Sequence, residues 1–542
     1  MTKHVLLAAL LLVVSACSAT QKSAQNDSTI YSFSQNITEQ SLYNDLAVLA
    51  HDSLQGRETA TPGEEKAAKF ISDRYEEIGL QPGSDENTWF QSFDLIQPTV
   101  NGYEYTVHSI SRDSVISSTA FTKEKTADFV TIFGGSDRLE GPVHFAGTGM
   151  FNPGEQVNHF PKDASGAWIL VFYVEGQTNM QKVQQVLSSG KALGAIIMIG
   201  NDVEDYQQEA ESRQQYLGQG RGLSLKYLQD KSGSNSPAFN RIHPELAAKL
   251  LGFDNTETLM ELQQDILDSP QAFISRPLDV SLLHDPEINE NLVQSKNVLG
   301  FLEGSDPTMR HEVVVLSSHY DHVGVGEPDS TGDAIYNGAD DDGSGTAATI
   351  QVAEAMMAAK KAGHGPRRSV LFLNVSGEEK GLLGSRYYSD HPTRSIHNTI
   401  ANINMDMIGR VDPEHVDDSS YVYIIGGEII SSALDSLSQM ANVMGPNLTL
   451  SDRYNDLEDP NQFYRRSDHW NFGRLGVPFV FFFNGVHEDY HRPSDHIEKI
   501  TFGPYTQRTR LIYNLTALLA NSPERPKVDN QEFIEKTQAE AR

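Results

Sequence analysis

The chain has 542 residues, more than one hydrophobic core usually supports, so we expect two or three structural units. Its composition, with 38% hydrophobic and 21% charged residues, is typical of a globular protein that buries large cores. The 42 basic and 73 acidic residues give a formal net charge of −31, which repels polyphosphate backbones and argues against a nucleic-acid partner.

The first residues have the pattern of an export signal. A basic start precedes the apolar run 5–14, which is too short to span a bilayer, and Ser15, Ala16 and Cys17 follow it. This ending resembles the lipobox of bacterial lipoproteins, in which the cysteine is acylated and becomes the new N-terminus. We therefore expect a signal peptide over 1–16 and a lipid on Cys17. The protein would then be exported and anchored to a bacterial membrane, expected to be the outer one, facing the periplasm or the cell surface.

Cys17 is the only cysteine, so we expect no disulfide, and any metal must be bound by His, Asp and Glu. Residues 17–38 are rich in Ser, Gln, Asn and Thr, which predicts a lipidated, flexible tether. Residues 39–127 are predicted to be the N-terminal part of the main domain. They include a helix over 64–78 that ends at Gly79.

The segment 128–284 has a different character. Short β-like runs such as 168–173 and 195–199 flank a helical stretch, and the segment contains no cluster of histidines and carboxylates of metal-ligand type. We interpret it as an inserted, β-rich α/β accessory domain. Its strand order resembles the protease-associated domain found inside several peptidase families.

From 285 to 523 strands and helices alternate, which predicts a mixed, mostly parallel sheet flanked by helices. The predicted strands are 297–302, 312–318, 369–375, 400–405, 421–425 and 477–483, and the predicted helices are 344–361, 428–444 and 505–520. Residues 524–542 are charged and contain proline, so we expect a frayed tail.

Metal-type side chains follow the ends of the predicted strands, where the loops of an open α/β sheet converge. They are His319, Asp321 and His322 after 312–318, Glu378 and Glu379 after 369–375, Asp406 after 400–405, and Tyr490 and His491 after 477–483. Asp341 lies in the acidic run 340–342, just before the helix predicted from Ser344. The positive end of that helix keeps a carboxylate ionised and able to bridge two cations.

These ordered motifs resemble peptidase family M28, aminopeptidases with two co-catalytic zinc ions. The resemblance covers 285–520 and extends to 41–98, and it implies the zinc exopeptidase fold. It implies that His319 and Asp406 bind one zinc, that Glu379 and His491 bind the other, and that Asp341 bridges both. It also implies that Asp321 orients a metal-bound imidazole, that the peptide bond between Asp341 and Asp342 is cis, and that His322, Asp340 and Asp342 are neighbours rather than ligands.

Glu378 is the carboxylate that remains without a metal to bind, so we expect it to be the general base. On a non-helical loop neighbouring side chains diverge, so Glu379 faces the metals while Glu378 faces the attacking water. Tyr490 is expected to donate a hydrogen bond to the oxyanion. Ser467, Asp468 and His469 either line the substrate pocket or form a structural turn. The resulting prediction is a zinc-dependent exopeptidase, an aminopeptidase that removes N-terminal residues from peptide substrates.

Three alternatives compete with this prediction. A carboxypeptidase of the same fold is hard to exclude, because the residues that recognise the peptide end are not evident in one sequence. The glutaminyl cyclases of this fold use one zinc, and the complete two-metal set argues against them. A surface binding lipoprotein with a structural metal is the third, but a structural site has no need of an unligated carboxylate such as Glu378. The oligomeric state stays unknown.

Overall fold

The computed structural model describes residues 29–112, 114–122, 130–132, 138–189, 191–198, 222–232 and 238–537. The described residues form two compact units: one contains 29–93 and 294–537, and the other contains the described residues between 94 and 293. We call them the first and the second unit. The predicted signal peptide and the lipidation site Cys17 lie outside the described residues.

The helices of the described residues are α1 (Glu39–Leu49), α2 (Pro62–Ile78), α3 (Met180–Ser188), α4 (Lys226–Ser232), α5 (Pro244–Leu251), α6 (Thr256–Asp268), α7 (Gly345–Lys361), α8 (Leu383–Asp390), α9 (Ser432–Val443), α10 (Trp470–Gly473), α11 (Phe502–Asn521) and α12 (Gln531–Thr537). The strands are β1 (Gln81–Pro82), β2 (Phe90–Ser111), β3 (Ser114–Thr122), β4 (Val130–Ile132), β5 (Leu139–Phe145), β6 (Phe151–Asn152), β7 (Val157–Asn158), β8 (Trp168–Phe172), β9 (Gly194–Met198), β10 (Ser224–Leu225), β11 (Ala238–Ile242), β12 (Arg276–Leu302), β13 (Val313–His319), β14 (Gly324–Val325), β15 (Ile335–Tyr336), β16 (Ser369–Val375), β17 (Thr399–Met405), β18 (Tyr421–Gly426), β19 (Thr449–Ser451) and β20 (Phe479–Phe483).

The first unit is built on a mixed sheet with the order β19-β18-β20-β17-β13-β16-β12. Strands β16, β13, β17 and β20 are mutually parallel where they pair, and β12 and β18 pair antiparallel on either side of them. Every residue of β13, β16 and β17 is buried, as expected for central parallel strands that are covered on both faces. The predicted fold class, a mostly parallel sheet flanked by helices, is confirmed.

Helix α7 lies in the core of the first unit. Its alanine-rich sequence lets it pack closely, and residues such as Ile350, Val352 and Met356 are fully buried together with residues of α1, α2 and α11. The turn that precedes α7 therefore sits at a fixed place beside the sheet. Helix α9 begins later than the sequence predicted, because the Ser431 hydroxyl accepts a hydrogen bond from Leu434 N and caps it there.

The second unit contains a sheet in which β5, β8, β9 and β11 run parallel in that order, with the 276–284 part of β12 antiparallel to β5. It begins at Asp94 rather than at the predicted residue 128. The reason is that β2 and β3 form an antiparallel hairpin whose Tyr105 and Phe121 are buried in the same core as Trp168. The likeness to a protease-associated domain stays a prediction.

The two ends of the described chain are better packed than the sequence suggested. Residues 31–36, assigned to the flexible tether, form a 3-10 helix, and Ile30 and Ile37 beside it are buried because they pack into the core of the first unit. At the other end, α12 replaces the expected frayed tail. Its Phe533 is 1% exposed and packs near Phe479, with ring centroids 6.2 Å apart.

No helix among the described residues is both long enough and apolar enough to cross a membrane.

Candidate metal centre and active site

The parallel strands of the first unit bring the predicted side chains to one edge of the sheet. His319 is the last residue of β13, Asp406 directly follows β17, and Glu378 and Glu379 follow β16 after a short turn. His491 comes from the loop after β20. Asp341 enters from the turn Ala339–Ser344 that leads into α7.

A first group of ligand-type atoms consists of His319, Asp341 and Asp406. His319 Nε2 lies 3.3 Å from Asp341 Oδ1 and 3.7 Å from Asp406 Oδ1. The other oxygen of Asp406 accepts a 2.7 Å hydrogen bond from the Ser467 hydroxyl, which itself accepts one of 2.9 Å from Asn404 Nδ2. The hydrogen bond from Ser467, which is itself held by Asn404, thus fixes the orientation of the Asp406 carboxylate.

A second group forms around the other oxygen of Asp341. His491 Nε2 lies 3.2 Å from Asp341 Oδ2 and 3.0 Å from Glu379 Oε2. His322, which the sequence treated as a neighbour, belongs to the same place: its Nδ1 lies 2.8 Å from Glu379 Oε1 and 3.7 Å from Asp341 Oδ2. Its position three residues after His319, on the same strand-end loop, was the signal that sequence reasoning underrated.

These donor atoms fit a metal site. They are imidazole nitrogens and carboxylate oxygens, and ligands of a tetrahedral zinc at about 2.0–2.2 Å lie about 3.3 Å from each other, close to the separations found here. Among the described residues, Asp341 Oδ2, Glu379 Oε1, His491 Nε2 and both ring nitrogens of His322 are buried without a well-formed hydrogen bond. Buried polar atoms are normally satisfied, so a cation is the natural partner of this set.

The flanking aspartates of the acidic run have structural partners. Asp342 accepts hydrogen bonds from the backbone nitrogens of His319 and Gly345, and Asp340 Oδ1 accepts one of 2.6 Å from Gly409 N. The peptide bond between Asp341 and Asp342 is cis. The middle carboxylate is therefore the one that faces the site.

Asp321 does not orient the imidazole quite as predicted. His319 Nδ1 lies 3.0 Å from the Asp321 backbone carbonyl and 3.7 Å from its carboxylate. The carboxylate instead accepts hydrogen bonds from Thr59 Oγ1 at 2.9 Å and from Glu378 N at 3.2 Å. Its main structural effect is to hold the backbone of Glu378 beside the first group.

Burial and neighbouring charges shift the pKa values of the side chains in the site. Burial raises the pKa of Glu378; His319 opposes the rise, and the carboxylates of Glu379 and Asp406 add to it. Burial alone would lower the pKa of His491, but Glu379 and Asp341 outweigh it and raise the pKa to about 10. The neighbouring carboxylates thus stabilise the protonated form of the His491 imidazole.

Tyr490 lines the pocket beside Glu378 and Asp406. Its ring stacks on His491, with centroids 3.8 Å apart and planes 21° apart. Burial raises the pKa of Tyr490, and the carboxylates of Asp341 and Glu379 raise it further. The phenol therefore stays protonated and can donate a hydrogen bond.

A pocket adjoins Glu378 and Asp406. Its wall is mostly apolar and aromatic, with Ser467, Tyr490 and Arg466 as polar members; the apolar residues are Met407, Phe463, Phe481, Phe483 and Val486. Of the run that sequence analysis left open, Ser467 lines this pocket, whereas His469 stacks on Phe481 with centroids 4.5 Å apart. The pocket can accept an apolar side chain next to the metal-type groups.

Residues 297–516 match peptidase family M28. The M28 segment carries all the side chains of both metal-type groups, so the resemblance predicted from the motifs is confirmed for it.

Two curated relatives and one solved structure are similar to this chain. A probable zinc metalloprotease of Leptosphaeria maculans is 29% identical over 273 residues, which are 43% of this chain and 59% of that protein, so the chain spans less than two thirds of its length. A probable leucine aminopeptidase of Arthroderma otae is 25% identical over 303 residues, 52% of this chain and 78% of the relative. The structure of an aminopeptidase from Aneurinibacillus sp. strain AM-1 has the same fold, with a TM-score of 0.54 at 16% identity over 92% of this chain and 98% of that one.

Proposed function

We propose that the protein is a zinc-dependent aminopeptidase that uses two zinc ions to hydrolyse the N-terminal residues of peptides. One observation carries the proposal: two groups of ligand-type side chains share Asp341, beside a carboxylate, Glu378, that belongs to neither group. Zinc bound at such a site polarises a carbonyl and lowers the pKa of water. A site that is only structural has no need of the free carboxylate.

The side chains divide the work according to their positions. Asp341 would bridge the ions, with His319 and Asp406 on one side and Glu379 and His491 on the other. Glu378 accepts the proton of the attacking water and passes it to the departing amine; burial raises its pKa, which makes it a stronger base. The protonated phenol of Tyr490 donates a hydrogen bond to the oxyanion, which strengthens as negative charge develops there.

The surroundings of the site favour an N-terminal substrate end. The carboxylate of Glu378, which belongs to neither metal-type group, attracts the ammonium group of a peptide. The aromatic pocket beside Glu378 and Asp406 would hold the side chain of the first residue, and its apolar lining favours an apolar one.

Carboxypeptidase action is the second candidate, and Arg466 is the observation that favours it. Arg466 lines the pocket, and its guanidinium lies 5.0 Å from the centroid of the Phe463 ring. An exposed guanidinium at this place can pair with the carboxylate of a peptide C-terminus. Peptides blocked at one end or the other separate the two activities.

The test compares three proteins on a panel of aminoacyl nitroanilides and end-blocked peptides. Zinc-loaded wild type should release N-terminal residues, and a chelator should abolish this. Glu378→Gln should lower kcat at least about a hundredfold, because a general base contributes about that much or more, while its zinc content stays at the wild-type level. Glu77→Gln, an exposed carboxylate on α2, is the matched control and should retain full activity. Release of neither terminal residue by zinc-loaded wild type would reject the peptidase in favour of a binding protein.

We further propose that the protein is exported and anchored through a lipid on Cys17. The support is the sequence pattern of residues 1–17 alone. In a bacterial host, labelled palmitate should enter the wild-type protein and not Cys17→Ser, and the variant should leave the membrane fraction. Equal labelling of both proteins would reject the anchor.

A further inference from the structure

Three consecutive residues near the N-terminus, Arg57, Glu58 and Thr59, contact the loops that carry the metal-type side chains. We call them the 57–59 clamp. They follow α1 and lie outside residues 297–516, the segment that matches the peptidase family. Their contacts therefore come from a part of the chain with no metal-type side chain in either group.

Arg57 is fully buried, and its guanidinium binds backbone rather than carboxylates. It donates hydrogen bonds to the carbonyls of Tyr320 (2.7 Å), Leu49 (2.6 Å), Asn337 (2.6 Å) and Gly338 (3.0 Å). Tyr320 directly follows His319, and Gly338 lies three residues before Asp341. Because a guanidinium is planar and rigid, one side chain fixes the distance between the His319 loop and the Asp341 loop.

The backbone that leads into the clamp is bent, and this bend lets Arg57 contact both loops. Gln55, Gly56 and Arg57 all have positive φ, at 48°, 65° and 51°. A Cβ atom on Gly56 would lie 2.4 Å from the Gly324 carbonyl oxygen, so the turn is inserted tightly against β14. A left-handed conformation is unfavourable for arginine, and it persists only where the surroundings enforce it, commonly at functional sites.

The two following residues reach the remaining loop. Glu58 forms an ion pair of 2.8 Å with Lys380, the residue after Glu379. Thr59 Oγ1 donates to Asp321, whose second carboxylate oxygen accepts a hydrogen bond from Glu378 N. The clamp thus contacts the loops of His319, Asp341 and the two glutamates at once.

We propose that the 57–59 clamp positions these three loops and thereby sets how tightly the protein retains its cations. The residues of the clamp bind no metal themselves; they act through the loops that do. The inference rests on the metal site of the proposed function, but not on which peptide end is hydrolysed. Removal of partners that orient metal ligands typically weakens metal binding about 10–100-fold.

The experiment measures zinc affinity and the rate of zinc release to an excess of a chromogenic chelator. Arg57→Lys retains the charge but loses the planar fork, and Thr59→Val removes one hydroxyl at nearly constant volume. Arg368→Lys is the matched control: Arg368 is also buried and donates to the carbonyls of Leu519 and Ser522, but it precedes β16 at the opposite end of the strand. Thermal unfolding of the chelated proteins reports loss of fold stability separately.

Both clamp variants should bind zinc about 10–100-fold more weakly than wild type, whereas Arg368→Lys should retain wild-type affinity even if its chelated form is less stable. Wild-type zinc affinity in both clamp variants would overturn the proposal, and so would an equal loss in Arg368→Lys. If Arg57→Lys fails to fold, Thr59→Val decides alone. Weak zinc binding in the clamp variants of a protein that cleaves no peptide would support the clamp and reject the proposed peptidase activity.

Discussion

Replacement of Ser467 by alanine tests how the first metal-type group is held. The Ser467 hydroxyl donates to Asp406 Oδ2 at 2.7 Å and accepts from Asn404 Nδ2 at 2.9 Å, and the residue is 2% exposed. Alanine therefore leaves one carboxylate oxygen and one amide hydrogen buried without a partner. Each orphaned group costs about 1–3 kcal/mol.

Part of that cost falls on the metal, because Asp406 is then free to rotate away from His319. We expect zinc affinity to fall about 10–100-fold, equivalent to about 1.4–2.7 kcal/mol, and the free energy of unfolding of the chelated protein to fall by about 2–6 kcal/mol, the cost of two orphaned groups. Isothermal titration with zinc and urea denaturation of the chelated protein measure the two quantities.

Ser438→Ala is the matched control for this prediction, since its buried hydroxyl donates only to the Leu434 carbonyl one helical turn away. It should leave zinc affinity unchanged. If Ser467→Ala binds zinc as tightly as wild type, the hydroxyl does not orient a ligand, and Asp406 is held by the metal or the backbone alone.

Three further predictions follow from the structure. Removal of zinc should lower the midpoint of thermal unfolding, because at a thousandfold excess over Kd a ligand contributes about 4 kcal/mol; identical calorimetric transitions with and without chelator would contradict this. Phe533→Ala should destabilise the protein by about 3–5 kcal/mol in urea denaturation, because the ring is buried near Phe479, whereas a frayed tail would give no change. Burial raises the pKa of Glu64 to about 7 from an unfolded value of about 4.5, so the folded state holds its proton more tightly and this group costs stability as the pH rises through that window, by up to about 3 kcal/mol. Stability of Glu64→Gln, measured by urea denaturation at pH 4.5 and 7.5, should therefore fall less over this window than that of wild type, and equal slopes would contradict the assignment.

Much of the first unit could be predicted because its signals are local. Strand β16 has the predicted bounds, since a short apolar run of β-branched and aromatic residues between polar turns is typical of a buried strand. His319, Glu379 and Asp406 were found because parallel strands end at one edge of the sheet. The alternation of strands and helices carries that information without any knowledge of contacts.

What the sequence did not reveal depends on contacts between distant residues. The hairpin of β2 and β3 was assigned to the wrong unit because alternation predicts a strand but not the core against which it packs. His322 was underrated because its place beside Glu379 depends on how the loop after β13 turns, and that turn is held by Arg57, whose carbonyl accepts a hydrogen bond from His322 N at 3.3 Å.

Contacts between residues that are distant in sequence also explain the rigidity of the metal site. Strand ends bring imidazoles and carboxylates together, but a cluster of buried acids repels itself and would widen without further restraint. In this chain the restraint comes from neutral or cationic groups remote in sequence: Ser467 behind Asp406, Thr59 behind Asp321, and the guanidinium of Arg57 between two loops. The ligand residues can therefore be predicted from single sequence motifs. The distances between them depend on contacts throughout the first unit. Substitutions of Arg57 and Thr59, which lie outside 297–516, should accordingly weaken zinc binding without changing a residue that contacts substrate.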